Sequence, residues 1–260
     1  MNDPHVERLM YQIGSNLVAY RDTSAVTGGE SRFQVSLENE QATVEMLDHF
    51  ATIDDARAAV EPYLRAWEVH ATITFHDTAE PLLLTFKNGQ VVDRRPDPDE
   101  GPTVRLTASS SAEVTAIVAI GAERYPAPPP GFTVSPDVET MWVRWRAYRA
   151  DRESLPSMAY FCLTVVEASM GLPRQGQRSR AATTYGLRPE VLKKLGDLVS
   201  EVGDVHERRK QHAANPRRYT SDENEWMKAV VKKMILRVGE WAHDPTQSVV
   251  VLTMNDFPRI

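Results

Sequence analysis

Tyr125-Pro126-Ala127-Pro128-Pro129-Pro130-Gly131 divides this 260-residue sequence into two stretches of different character. Consecutive prolines favour an extended polyproline spacer and cannot continue a helix. Before them the pattern is mainly that of strands, and after them that of helices. The reading is therefore an α+β chain: an α+β module over 1–124, a proline-rich linker over 125–136 and a helical module over 137–260. The first module is expected to hold a mostly antiparallel sheet with one or two packed helices. The second is expected to be a helical bundle with a short terminal strand.

Working outward toward the N-terminus, 32–37 and 42–47 alternate around the polar turn Glu38-Asn39-Glu40, and 70–75 alternates Ala71, Ile73 and Phe75 against His70, Thr72 and Thr74. Both patterns predict half-buried strands. Leu82-Leu83-Leu84-Thr85-Phe86, then Asn88-Gly89, then Val91-Val92 predicts a hairpin, because Asn-Gly readily takes the positive φ angles of a type I′ turn. Thr52 or Asp54 is placed to cap a helix ending near Glu68, with Ala56, Ala59, Val60, Tyr63, Leu64 and Trp67 on one apolar face. A further strand is expected at 104–107, a helix at 111–123 and a solvated acidic loop at 96–102.

Toward the C-terminus, 137–151 places Met141, Trp145 and Tyr148 on one helical face with Trp142 beside them, and arginines around the rest. Such a stripe more often packs in a core than stacks on bases. The stretch 155–170 is apolar nearly all round and reads as the central helix, ended by Gly171-Leu172-Pro173. Ser221 is positioned to cap a last long helix with Trp226, Val230, Met234, Val238 and Trp241 inward. Residues 249–252 then form a short strand, expected to return to the N-terminal sheet.

Charge follows the same division. Residues 1–136 carry ten basic and twenty acidic side chains, and 137–260 carry twenty basic and sixteen acidic, within an overall net charge of −6. Opposite signs suit either an acidic partner for the second half or contact between the halves. The basic excess concentrates in 174–218, with eleven Lys/Arg against five Asp/Glu. Arg outnumbers Lys by 23 to 7, as GC-rich bacterial genomes favour.

Within that segment lies Ala182-Thr183-Thr184-Tyr185-Gly186-Leu187-Arg188-Pro189-Glu190-Val191-Leu192-Lys193-Lys194-Leu195. A helix-turn-helix corner needs a small residue where the helices cross, a turn glycine able to take left-handed geometry, and apolar residues locking the second helix. Ala182, Gly186, Val191, Leu192 and Leu195 meet those needs, and Pro189 suits a first helical turn. Any corner inside a helical bundle carries the same signature. Arg174, Arg178, Arg180, Arg188, Lys193, Lys194, Arg208, Arg209 and Arg218 are the candidate contacts to nucleic acid or an acidic protein surface.

Catalytic signals are weak. Arg237-Val238-Gly239-Glu240-Trp241-Ala242-His243 meets the Arg-to-His spacing used by helical ribonucleases of the HEPN type, without the usual polar residue beside the arginine. Arg208 and His212 are one residue too close for that spacing. If an Arg and a His converged, they would support acid/base cleavage of RNA. His70 and His76, on one strand face, would stand roughly 20 Å apart, too far to share a metal. His206 and His212 fall on different helix faces, and Asp97, Asp99 and Glu100 lack the spacing of a calcium loop. No phosphate-loop, dinucleotide or nucleophile-elbow motif is present, so no cofactor and no metal are expected.

No apolar run reaches the roughly 18 residues that span a bilayer. The lone cysteine, Cys162, allows no internal disulfide. A cytoplasmic protein is the expectation. The function expected from sequence is a non-enzymatic binding or regulatory protein, its basic helical region engaging nucleic acid or an acidic protein. A metal-independent ribonuclease and a structural subunit of a larger complex are the alternatives.

Overall fold

The computed structural model describes residues 2–16, 18–75, 80–95, 104–108, 120–171, 174–202 and 217–260. The fold is α+β, with an antiparallel sheet in the N-terminal part and helices dominating the C-terminal part. The chain separates into two compact units, 1–130 and 131–260.

In unit 1, six strands order as β3-β4-β5-β1-β6-β7, with every neighbouring pair antiparallel. They are β1 (Pro4–Asn16), β3 (Val26–Glu30), β4 (Phe33–Glu38), β5 (Gln41–Met46), β6 (Glu80–Asp93) and β7 (Val104–Ala108). β2 (Val18–Ser24) and β8 (Ile120–Arg124) form a separate parallel pair. Strands β5 and β6 flank β1, run parallel to one another, and are joined by helix α1 (Ile53–Thr74), which packs on β1 and β6. The core lies between α1 and the sheet, where Leu9, Val35, Val44, Val60, Trp67 and Leu82 are buried.

Phe33, Val35 and Leu37 alternate inward on β4, as their spacing predicts, and Ala42, Val44 and Met46 do so on β5. The connecting Asn39 and Glu40 both have positive φ, at 50° and 57°. That two-residue, left-handed geometry is a type I′ turn.

The hairpin expected at Asn88-Gly89 does not form. β6 runs straight through the pair, with Asn88 opposite Met10 and Gly89 opposite Leu9, and neither residue has a positive φ. A long partner strand supplies hydrogen bonds on both sides of the dipeptide, which overrides its local turn preference. Gly89 serves packing instead: a Cβ there would sit 3.0 Å from Ile53 Cδ1 and 3.2 Å from Leu9 Cδ2, so its bare Cα lets α1 approach the sheet.

β1 lies outside the sequence expectations for a physical reason. Its inward residues Val6, Leu9, Tyr11 and Ile13 break strict alternation because the register with β6 shifts between Val6 and Arg8. Two further expectations are corrected. Residues 70–74, expected in a strand, complete α1, where Ala71 and Ile73 are buried and Thr72 and Thr74 return their hydroxyls to the Glu68 and His70 carbonyls. Residues 120–123, the end of the helix expected at 111–123, lie instead in β8. His76, Asp97, Asp99 and Glu100, and 111–119, lie outside the described residues.

The start of the proline segment is anchored. Tyr125 is buried against Tyr20, its hydroxyl accepts the Glu40 N–H at 2.9 Å, and the Trp67 indole donates to the Pro126 carbonyl at 3.0 Å.

Unit 2 comprises α2 (Pro136–Arg149), α3 (Leu155–Ala168), α4 (Arg174–Thr184), α5 (Pro189–Glu201) and α6 (Ser221–His243). Met141, Trp142 and Trp145 of α2 are buried. α3 touches each of the other four helices, although Thr164 is exposed and Phe161 is covered by the Arg144 guanidinium at 4.1 Å. Thr220, rather than Ser221, caps α6: its hydroxyl accepts the Glu223 N–H, and the Glu223 carboxylate accepts the Thr220 N–H. Trp241 remains 39% exposed, its ring edge-on to Tyr185. The terminal strand is reduced to one parallel bridge, Leu187 to Leu252, within unit 2.

Candidate nucleic-acid interface

The helix-turn-helix corner is formed by α4 and α5. Ala181, Ala182, Tyr185 and Leu187 close the first helix and turn, and Val191, Leu192, Leu195, Leu198 and Val199 bury one side of α5. Gly186 has φ of +62°, the left-handed geometry that the turn demands. The Leu187 N–H donates to the Ala182 carbonyl at 2.8 Å, closing the corner.

The C-terminal segment fastens to this turn. Arg188 N donates to Leu252 O and Leu252 N to Gly186 O, both at 2.8 Å. Arg237 secures the same segment through Val250 O at 2.8 Å while pairing with Glu240 at 2.9 Å.

The basic candidates sort by what they touch. Arg178 pairs with Glu167 of α3 and lies across α5 at Gly196, where a Cβ would sit 2.9 Å from its guanidinium. That side chain ties three helices together. Lys193 is 73% exposed and, among the described residues, bonds the carboxylate of Asp197 one turn on, at 3.2 Å. Arg180 and Arg188 are exposed, Lys194 is half-buried, and none of the three has an ion pair among the described residues. Arg218 is exposed; its carbonyl accepts from Arg217, whose guanidinium grips Glu223 with two hydrogen bonds. The Arg174 side chain, Arg208, Arg209 and His212 lie outside the described residues.

Arg237 and His243 are not brought together. Six positions along a helix set them about 120° apart around its axis. His243 Nδ1 stands 3.3 Å from Thr133 Oγ1 and its ring packs over Gly131, whereas Arg237 faces Glu240 and Val250. Among the described residues no group of His, Cys, Asp and Glu is arranged to hold a metal ion. No described helix is long and apolar enough to cross a membrane.

Sequence reasoning missed the partners that make Arg178 and Arg217 structural. Glu167 is eleven positions from Arg178, and Gly196 is on the next helix, so no local spacing marks either contact. No protein-family model, curated protein or solved structure matches the chain.

Proposed function

We propose that the chain is a non-enzymatic nucleic-acid-binding protein that uses the outer side of the α4–α5 corner. The carrying observation is the division of its cations: Arg178 is engaged within the bundle, whereas Arg180, Arg188 and Lys193 are exposed, with the half-buried Lys194 beside them, around a corner with the helix-turn-helix turn geometry. The Lys193–Asp197 pair is solvent-exposed and worth little, so a phosphate competes with it readily. In this reading Arg188 and Lys193 approach a groove from the N-terminal end of the second helix, and Arg180 and Lys194 contact the backbone. The buried lone thiol of Cys162 suits a cytoplasmic setting.

The test is fluorescence anisotropy with a labelled duplex DNA at about 50 and about 200 mM salt, where binding through several phosphates weakens steeply. The expected result is binding at low salt that is lost in Lys193→Glu/Lys194→Glu. Absence of binding at low salt overturns the reading. Equal competition by polyglutamate reassigns the surface to an acidic protein partner.

A further inference from the structure

Residues 245–255 carry no charged side chain, and at their middle Val249-Val250-Val251 is a β-branched run of high strand preference. Two of these side chains face water, Val250 at 79% and Val251 at 50% exposure, and Trp241 of α6 is a third exposed apolar group. The three adjoin one another at the α4–α5 corner. Tyr185 meets the Trp241 ring edge-on, Val249 packs on Gly186, and Arg237, one turn before Trp241, holds the Val250 carbonyl. An uncharged, strand-forming segment at a surface is ordinarily covered by a partner or interrupted by a charge.

Peptide planarity fixes which backbone groups stay open. Leu252 turns both of its groups to the corner, donating to the Gly186 carbonyl and accepting from the Arg188 N–H. In a trans peptide the C=O and N–H point in opposite directions, so the Val251 carbonyl, which shares a peptide with the Leu252 N–H, points away from the corner. The Val250 carbonyl is held on the corner side, by Arg237 and 3.5 Å from where a Gly186 Cβ would sit, so the Val251 N–H points away as well. Among the described residues neither Val251 group has a hydrogen-bond partner, and Val249 makes no backbone hydrogen bond. The Thr253 N–H is accepted by the Asp256 carboxylate at 2.7 Å.

These groups select the occupant. A charged strand would find no countercharge along 245–255, whereas the segment, uncharged and apolar, matches its own edge. In an antiparallel copy related by a two-fold axis through Val251, the two Val251 residues face one another as a hydrogen-bonded pair, each N–H donating to the other's carbonyl. The Val249 N–H of each copy meets the Thr253 carbonyl of the other. The engaged Thr253 N–H ends the pairing on both sides.

We propose that the chain forms a two-fold homodimer in which Val249–Thr253 of two copies pair as antiparallel strands centred on Val251. The pairing brings Val250 of each copy beside Leu252 of the other and closes the interface on itself. With the Leu187–Leu252 bridge of each copy it makes a four-stranded ribbon that sets the two corners three strand spacings, about 14 Å, apart. The dimer does not rest on the nucleic-acid reading of the corner. The exposed apolar side chains amount to on the order of a few hundred Å² per copy, which places the contact among small, weak interfaces.

Sedimentation equilibrium of the full chain between about 10 µM and about 1 mM is expected to show a monomer–dimer equilibrium. Val251→Lys, which sets like charges across the axis at an exposed position, is expected to weaken it at least tenfold. Cross-linking tests the register. The only native thiol, Cys162, is buried, so a disulfide formed with glutathione disulfide as oxidant reports an introduced cysteine. At position 251 the two Cα atoms stand about 5.5 Å apart, within disulfide reach, whereas at position 250 they stand about 8 Å apart, beyond it. Val251→Cys is therefore expected to form covalent dimer at least tenfold faster than Val250→Cys, although Val250 is the more exposed. A chain that remains monomeric at about 1 mM overturns the proposal. A dimer unaffected by Val251→Lys, or cross-linking at position 250 as fast as at 251, also overturns it.

Discussion

Gly186 lies directly beneath Val249: a Cβ on the glycine would sit 2.5 Å from Val249 Cγ2. The corner and the C-terminal segment are therefore fitted to one another, and Gly186 answers two demands, a φ of +62° and an absent side chain. Gly186→Ala is expected to lower stability in urea denaturation by about 2 kcal/mol, of which about 1 is left-handed strain. Adding Val249→Ala should restore the steric part and leave the strain. Full restoration by the second substitution would show that φ is not a cost here.

Glu40 holds the second left-handed position of the β4–β5 turn, where a side chain is disfavoured. The backbone bonds of this residue, to Ile13 N and the Tyr125 hydroxyl, do not involve its carboxylate. Glu40→Gly is thus expected to stabilise the protein by about 1 kcal/mol, seen as a higher Tm in calorimetry. A lower Tm would place an unrecognised role on the carboxylate.

Acid sensitivity should centre on Glu223. The Arg217 guanidinium, together with the Thr220 N–H and hydroxyl, holds its pKa down at about 2 against an ordinary value of 4.5. A depressed folded pKa means that the contribution is complete above about pH 4.5 and is lost as pH falls through about 2. Denaturation between pH 6 and pH 2 should therefore show a falling stability whose slope is reduced in Glu223→Gln, about as read by the urea midpoint. An unchanged slope would show that other carboxylates carry the acid response.

The basic residues of the corner should separate by experiment. Arg178→Ala removes the partner of Glu167 and the cover over Gly196, and should lower stability by about 1 kcal/mol. Arg188→Ala should leave the urea midpoint nearly unchanged while weakening DNA binding and flattening its salt dependence by about one charge. The opposite pattern would make Arg188 structural.

Local signals carried much of the architecture. Alternation on β4 and β5, the Thr52 cap, the apolar stripe of α1 from Ala56 to Trp67, and Gly186 between two helices each depend on neighbours within a few positions. Such features survive translation from sequence to fold because steric and hydrogen-bonding preferences act locally. Asn88-Gly89 shows where that logic stops. The dipeptide is competent to turn, yet a continuous β1 partner and the approach of Ile53 keep it extended, while the type I′ turn forms at Asn39-Glu40.

The candidate site divides in the same way. Composition determined that the second half is basic, and the spacing of Ala182, Gly186, Val191, Leu192 and Leu195 marked a helix-turn-helix corner inside it. Only the tertiary structure decided which cations are committed, since Arg178 meets Glu167 and Gly196, and Arg217 meets Glu223, through packing that brings separate helical segments together. Net charge is a sum over side chains, whereas availability depends on partners, and partners are chosen by the fold.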